Sequence, residues 1–402
     1  MSHKCHLCQR QAVEPIINFG EHPIAHHFLT RPSDNEYVHP VVLGYCEGCG
    51  LTQLVDPIPP EKFYTDYNWL SSWKWNPHVP RLVQLISELS GLRKESRILE
   101  VGSNDGSFLE VLRKEGYRKL LGVEPAEDAV EAARKRGVET TRAYFNRKSA
   151  GELVTSFGQC DLFVARQVLE HVTDLQEFGI AMQSILRPGG YVLVEVPNFG
   201  FSQAAPDYSA IWEEHVNHFT LETLHKFFDR VGIEMLHSET ATFSGEILIA
   251  LGKCSEKPSA TESAPTAELR SRAFAYRDRW PGFRGMLIQF LQEQRKAGRR
   301  VAIYGAGCRA CCLINYTGIA PHIEFVVDDQ REKQGQYMPG SRLPVLSSDA
   351  LRERSIDLCL LAVNAENEEK VIGKHRAYLE RGGQFASVHP PSHRLPPFWS
   401  RA

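Results

Sequence analysis

The sequence predicts a three-part α/β protein. Its parts are a small N-terminal four-cysteine zinc domain, a doubly wound parallel-sheet core, and a second, C-terminal Rossmann-like α/β domain. Three observations carry this. Two C-x2-C pairs, Cys5/Cys8 and Cys46/Cys49, stand near the N-terminus; a strand–glycine turn–helix unit spans 97–114; and a second such unit spans 300–315. The expected boundaries are 1–60 for the zinc domain and 61–253 for the core, with an aromatic and helical connector over 61–90. A linker and helix follow over 254–299, then the C-terminal unit over 300–402.

A length of 402 residues suits two or three domains, each with a core of its own. Lys and Arg number 46 against 49 Asp and Glu, a net charge of −3, so no basic excess points to nucleic acid or an anionic membrane. No apolar run reaches the ~18 residues of a membrane span. The start, MSHKCHLCQR, lacks the apolar stretch of a signal peptide. A cytoplasmic location is expected, and there the ten cysteines read as metal ligands, core residues or catalytic groups rather than disulfides.

Cys5, Cys8, Cys46 and Cys49 supply four thiolates, which suit tetrahedral Zn²⁺ with no position left for water. The gap between the pairs exceeds the usual ~15–20 residues, so the intervening segment forms its own loop or hairpin. A closed site of this kind folds a segment too small for its own core and carries no chemistry. Free cysteines in a β-rich region are the alternative. The stretch 63–75 then gathers Phe63, Tyr64, Tyr67, Trp69, Trp73 and Trp75. It reads either as a packing surface between domains or as an aromatic wall of a ligand site.

In the core, 97–101 reads as a buried strand, Gly102-Ser103-Asn104-Asp105-Gly106 as a glycine turn, and 108–114 as a helix. The strand 120–123 ends in Glu124, about 20 residues on, where such folds bind a ribose diol. A strand over 161–165 opens into R-Q-V-L-E-H-V; a helix runs on to Arg187-Pro188-Gly189-Gly190; a strand follows over 191–196. The alternation means a parallel sheet with helices on both faces. Farther on, Glu213, Glu214 and His215 precede Thr220, the expected N-cap of a helix over 221–231, with Glu222 favourable at its N-terminus. A histidine beside carboxylates makes a sensible general base, although packing or capping is the competing reading. His218 is the rival candidate and is expected to pack.

A Ser/Pro/Ala/Glu-rich linker over 255–268 leads to a helix over 283–296. The strand 300–304 meets Gly305-Ala306-Gly307-Cys308-Arg309-Ala310, a G-x-G-x-x-A turn, and a helix over 308–315. The next strand, 323–327, ends at Asp328; others follow at 358–363 and 384–388. This is a second nucleotide-binding fingerprint, open to NAD, to another nucleotide diphosphate, or to a scaffold role. Cys308, Cys311 and Cys312 read as small packing residues.

E-V-G-S-N-D-G, an acidic strand end and L-R-P-G-G-Y, in that order over 92–251, resemble the class I S-adenosylmethionine-dependent methyltransferases. That resemblance implies that Gly102, Asn104 and Gly106 cradle the methionine part of S-adenosylmethionine. It places Glu124 on the ribose hydroxyls and Gln167 beside the sulfonium. Over its whole length the chain resembles the sugar C-methyltransferases of nucleotide-activated keto-deoxysugars. The matching stretches are C-H-L-C, F-G-E-H-P-I-A-H-H-F, C-E-G-C-G-L-T-Q-L, E-V-G-S-N-D-G-S-F-L, E-E-H, Y-G-A-G-C-R-A and V-D-D-Q-R-E-K-Q-G-Q-Y-M-P-G.

The resemblance implies a base that removes the C3 proton beside a 4-ketone, and an enolate that takes the methyl. His215 would be that base and Glu214 its orienting partner, with Tyr67 as a reactive-site hydroxyl. Trp212, Asn198, Gly305, Arg309 and Asp328 would hold the substrate, the C-terminal domain gripping its nucleotide, without NAD. Zinc is structural, the partner is a small nucleotide sugar, and the protein is a monomer or small homo-oligomer. Three departures stand out. Trp212 replaces a Tyr, the aromatic segment offers Tyr67 or Trp69 at the reactive position, and Arg309 replaces a Lys. They leave open an N- or O-methyltransferase acting on a different small metabolite.

Overall fold

Residues Ile98, Leu99, Glu100 and Val101 are all buried, as in a strand covered on both faces. A computed structural model describes residues 2–59, 62–63, 76–255 and 264–401, and in it this strand lies at the centre of the middle sheet. The sheet order is Ile233–Thr242, Glu246–Cys254, Leu186–Pro197, Cys160–Arg166, Arg97–Val101, Lys119–Glu124, Thr140–Arg142. Five of these strands are parallel, while Glu246–Cys254 and Ile233–Thr242 form an antiparallel hairpin at one edge. The parallel-sheet expectation therefore needs this correction: Ser244 and Gly245 (φ 51° and 113°) close a tight hairpin that no crossover helix can enter.

The N-terminal segment is a long hairpin, Gln11–Pro23 against Val38–Cys46, flanked by the short strands His3–Lys4 and Thr52–Leu54. Its fifth strand is Asn217–His218, from the middle of the chain, paired with Thr52 and Gln53. The boundary expected at residue 60 is thus crossed in space. Two shared cores reinforce this. Leu7, Val13 and Leu51 pack with the middle sheet. Ile17, Phe19, Val41 and Leu43 pack with Tyr276 and Phe283 of a long helix and with the helix Cys308–Thr317.

That long helix, Ala267–Lys296, begins well before the expected 283. Thr266 caps it by accepting the Leu269 N–H at 3.2 Å. Pro281 lies inside the helix, although a proline more often marks a helix boundary. The helix expected to reach 190 stops at Ile185, and the Arg-Pro-Gly-Gly turn opens the strand Leu186–Pro197. The C-terminal sheet is all parallel, in the order Val345–Leu346, Val326–Val327, Val301–Tyr304, Leu358–Leu361, Gln384–Ser387. Among the described residues, no helix is long and apolar enough to cross a membrane.

Candidate active site

The order of the middle sheet reverses between Arg97–Val101 and Cys160–Arg166, which leaves a crevice at the carboxyl ends of these strands. Its rim is unusual backbone. Gly102, Asn104 and Gly106 have φ of 65°, 47° and 73°, and Gln167 on the facing loop has 53°. A Cβ on residue 102 would lie 2.6 Å from Cγ2 of Val168, so only glycine serves there. Glu124, buried at its strand end, accepts the N–H of Asn104 and of Ala126, each at 3.0 Å. Burial raises its pKa, while these two amides pull the other way. Its carboxylate thus shapes the glycine loop and still faces the crevice.

Beneath the crevice lies a buried charged floor. Glu195 accepts from His78 Nε2 at 2.8 Å, Gln167 Nε2 at 3.0 Å and Arg166 Nε at 3.2 Å. Burial pushes its carboxyl up, yet Arg166 and His78 outweigh that and hold it at about 2. Neighbouring Glu100 has Arg166 at 3.7 Å, but burial outweighs it and raises the carboxyl to about 8. Gln167 is therefore anchored twice, since its own N–H also reaches the Glu195 carbonyl at 2.8 Å. The glycine turn, Glu124 and Gln167 line this one crevice and would hold S-adenosylmethionine there.

A second group of residues meets where all three parts join. Trp212–His215 lies in a tight turn, with His215 N–H bonded to the Trp212 carbonyl at 3.0 Å. Such a turn splays consecutive side chains, and the expected Glu214–His215 pair does not form. Glu214 instead lies 2.9 Å from Nδ1 of His26, contributed by the N-terminal hairpin loop. Glu213 accepts the Ala25 N–H at 2.5 Å. His215 packs edge-on against His171 with ring centres 4.9 Å apart, and against Trp212 at 4.5 Å.

These environments drive the titrations apart. Burial, helped by His171, His218 and Arg309, holds the His215 pKa far below its usual value. Burial also opposes charge on His26, but Glu214 and Glu213 overcome it and raise that pKa. Burial and the neighbouring Glu214 lift Glu213 to about 7. Burial thus disfavours charge on His215 and its neighbour His171, while His26 favours its proton. His171 and His26 were missed in the sequence, although R-Q-V-L-E-H-V and P-I-A-H-H-F were both in view. His218 lies buried against Phe199, and burial lowers it to about 3.

The four cysteine sulfurs cluster within 4.8 Å of one another, with Cys5–Cys49 and Cys8–Cys46 at 3.5 Å. A tetrahedral zinc with ~2.3 Å bonds sets sulfurs about 3.8 Å apart, so the donor set fits zinc.

Three family models divide the chain between them. Residues 5–64 match a zinc binding domain, 73–238 a methyltransferase domain, and 259–390 a C-methyltransferase C-terminal domain. The "C-methyltransferase NovU" of Streptomyces niveus is 29% identical over 400 residues, 95% of this chain and 94% of that protein. Along its whole length the chain is similar to a C-methyltransferase. It is an S-adenosylmethionine-dependent methyltransferase with an N-terminal zinc-binding domain. A "Ubiquinone biosynthesis O-methyltransferase" of Bordetella avium is 30% identical over 121 residues, 30% of this chain and 50% of that protein. Methyltransferase structures from Mesorhizobium loti (16% identity, 43% of this chain and 96% of that one, TM-score 0.33) and Archaeoglobus fulgidus (19%, 44% and 92%, TM-score 0.35) are also similar.

In this methyltransferase some expected substrate residues are otherwise engaged. Arg309 does not point to a vacant phosphate site. Its Nη2 meets Asp207 at 2.5 Å and its Nη1 the Ser244 carbonyl at 3.1 Å, clamping the C-terminal domain to the middle one. Asn198 caps the helix Phe199–Ala204 through the Gly200 N–H at 3.0 Å and donates to Glu246 at 2.7 Å, so both ends of its amide are used. Trp212 is half-buried beside His215.

Gly305 (φ 106°) would place a Cβ 2.7 Å from the Ala362 carbonyl oxygen. Asp328 accepts the Ala306 N–H at 2.8 Å. The C-terminal glycine turn is thus braced by an acidic strand end just as Glu124 braces the first. Tyr67 and Trp69 lie outside the described residues.

Proposed function

We propose that this enzyme methylates the carbon beside the ketone, C3, of a nucleoside-diphosphate 4-keto-deoxysugar. S-adenosylmethionine supplies an electrophilic methyl carried on a sulfonium. The single observation behind the proposal is the meeting of His26 and Glu214, 2.9 Å apart, with His215 and Glu213 in one pocket. Environments that push two titrations apart mark the acid and the base. His215, kept neutral, takes the C3 proton on its free ring nitrogen. His26, kept charged by Glu214, faces the oxyanion that grows on the ketone oxygen. Gln167 and the glycine cradle hold the methyl donor, and Trp212 walls the acceptor pocket and keeps water out. The second glycine turn, with Gly305 and Asp328, holds the nucleotide part, its amides facing the diphosphate. The protein works on this small molecule as a monomer or small homo-oligomer, without a nucleic-acid or membrane partner.

Transfer to nitrogen or oxygen of another metabolite is the second reading, favoured by Trp212, which lacks the hydroxyl of the family's tyrosine. One experiment separates the two. The protein is incubated with deuterated-methyl S-adenosylmethionine and a panel of dTDP-, GDP- and UDP-4-keto-6-deoxysugars, and products are read by mass and NMR. A labelled methyl on ring carbon supports the first reading. A methyl on oxygen or nitrogen, or no transfer with the cofactor bound, overturns it.

A further inference from the structure

We propose that Glu170, His171 and His215 form a second metal site, which takes a divalent cation of borderline softness such as zinc or cobalt. The three side chains each offer a ligand atom, and these atoms lie within 4.8 Å of one another. A tetrahedral ion with ~2.1 Å bonds sets ligand atoms about 3.4 Å apart, so side-chain shifts of about an ångström close the set. Two imidazoles and one carboxylate suit zinc or cobalt better than magnesium or calcium, which prefer all-oxygen shells.

Glu170 is the second, independent observation. It is fully buried, and neither carboxyl oxygen has a hydrogen-bond partner. A buried carboxyl group in that state costs free energy unless it stays protonated or binds a cation. The frame is rigid, because Asn217 Nδ2 donates to the carbonyls at both ends of the Leu169–His171 turn, Leu169 at 2.9 Å and Val172 at 2.7 Å. The other carboxylate–histidine group, His26 with Glu213 and Glu214, differs on this point. Its Glu214 is already paired with His26, and its Glu213 with the Ala25 amide.

A consequence follows that rests on the proposed role of His215. A ring nitrogen bound to a metal cannot accept a proton, so occupancy of this site stops methyl transfer.

The test uses the full-length protein with zinc in its cysteine site, dialysed against Co²⁺ and then assayed for both metals. One zinc and one cobalt per chain are expected, with an anomalous peak at the cobalt edge among the three side chains. Glu170→Gln and His171→Asn should each weaken cobalt binding by at least about ten-fold while zinc is retained. Should Glu170→Gln fail to fold, His171→Asn and the wild-type anomalous map decide. No cobalt bound, a peak elsewhere, or unchanged affinity in a folded variant overturns the site. If His215→Gln keeps full turnover, the base assignment falls, yet cobalt binding to the wild-type protein is untouched by that result.

Discussion

The Nδ1–H of His6 donates to Oδ1 of Asn217 at 2.9 Å, and this bond links the zinc knuckle to the reaction pocket. Asn217 in turn holds both ends of the turn that carries Glu170 and His171. The Leu175 N–H reaches the His6 carbonyl at 3.3 Å, a second strut from the knuckle to the same region. The four-cysteine cluster is therefore tied to the turn that carries His171.

Removing the metal should accordingly lower the melting temperature and the turnover together. Asn217→Ala isolates the strut. It should cost about 1–3 kcal/mol, because two buried carbonyls lose their donor. Urea unfolding reads the stability, and metal content shows whether zinc stays. A zinc-free protein that melts like the zinc-loaded one would show that the knuckle is not structural.

Arg309 and Asp207 predict a second outcome. Their side chains are 14% and 3% exposed, so the ion pair is nearly dry. Arg309→Ala strands a buried carboxylate and should destabilise the protein by about 3–5 kcal/mol. The double variant Arg309→Met/Asp207→Leu should recover most of that. A residue that gripped phosphate would instead raise KM and leave unfolding unchanged.

The zinc cysteines, the first glycine turn and the Thr220 cap were legible because each is a local pattern. Cys5 to Cys8, Gly102 to Gly106 and Thr220 to Thr223 all act within a few residues, and the last pair forms a capping box. The partners of Glu214, His215 and Arg309 were not legible. Proximity in the sequence suggested Glu214 for His215, but a tight turn separates adjacent side chains, and His26 arrives from a loop closed by the N-terminal hairpin. Arg309 sits where a phosphate-binding residue belongs in an isolated domain. Only the docking of two domains turns it toward Asp207. The strand Asn217–His218 was equally hidden, since a strand of two residues leaves no periodicity to read.

The floor of the crevice sets an acid limit. Glu195 is held at about 2, below its ordinary 4.5. A depressed carboxyl stabilises the fold above its unfolded pKa, and the contribution disappears as pH falls from 4.5 toward 2. It amounts to about 3 kcal/mol. Glu195→Gln should be less stable at pH 7 and flatter across that window. Parallel acid unfolding curves for the two proteins would sink this account.

Glu213 titrates the other way. Raised to about 7, it is largely protonated below neutrality and ionised above. Its folding contribution is present at low pH and lost as pH rises from 4.5 to 7. Ionisation adds negative charge beside His26 and strengthens the imidazolium there. Methyl transfer should therefore rise as pH passes about 7, and Glu213→Gln should remove that limb. A limb that survives in Glu213→Gln belongs to another group.

The pairing of His26 with Glu214 separates two accounts of the chemistry. His215→Gln removes the proposed base and should cut turnover by about 10²–10⁴-fold while S-adenosylmethionine still binds. Glu214→Ala should also slow transfer, but through His26, whose proton loses its partner 2.9 Å away. Side chains in one pair are non-additive, so Glu214→Ala and His26→Gln should each cost about as much as the double variant. Glu214→Ala combined with His215→Gln should be closer to additive, since those two do not touch. The opposite pattern, with coupling between Glu214 and His215 and none to His26, would mean that the pocket rearranges on binding substrate to build the dyad of adjacent residues. Double-mutant cycles on kcat, with cofactor affinity followed separately, decide between the two arrangements.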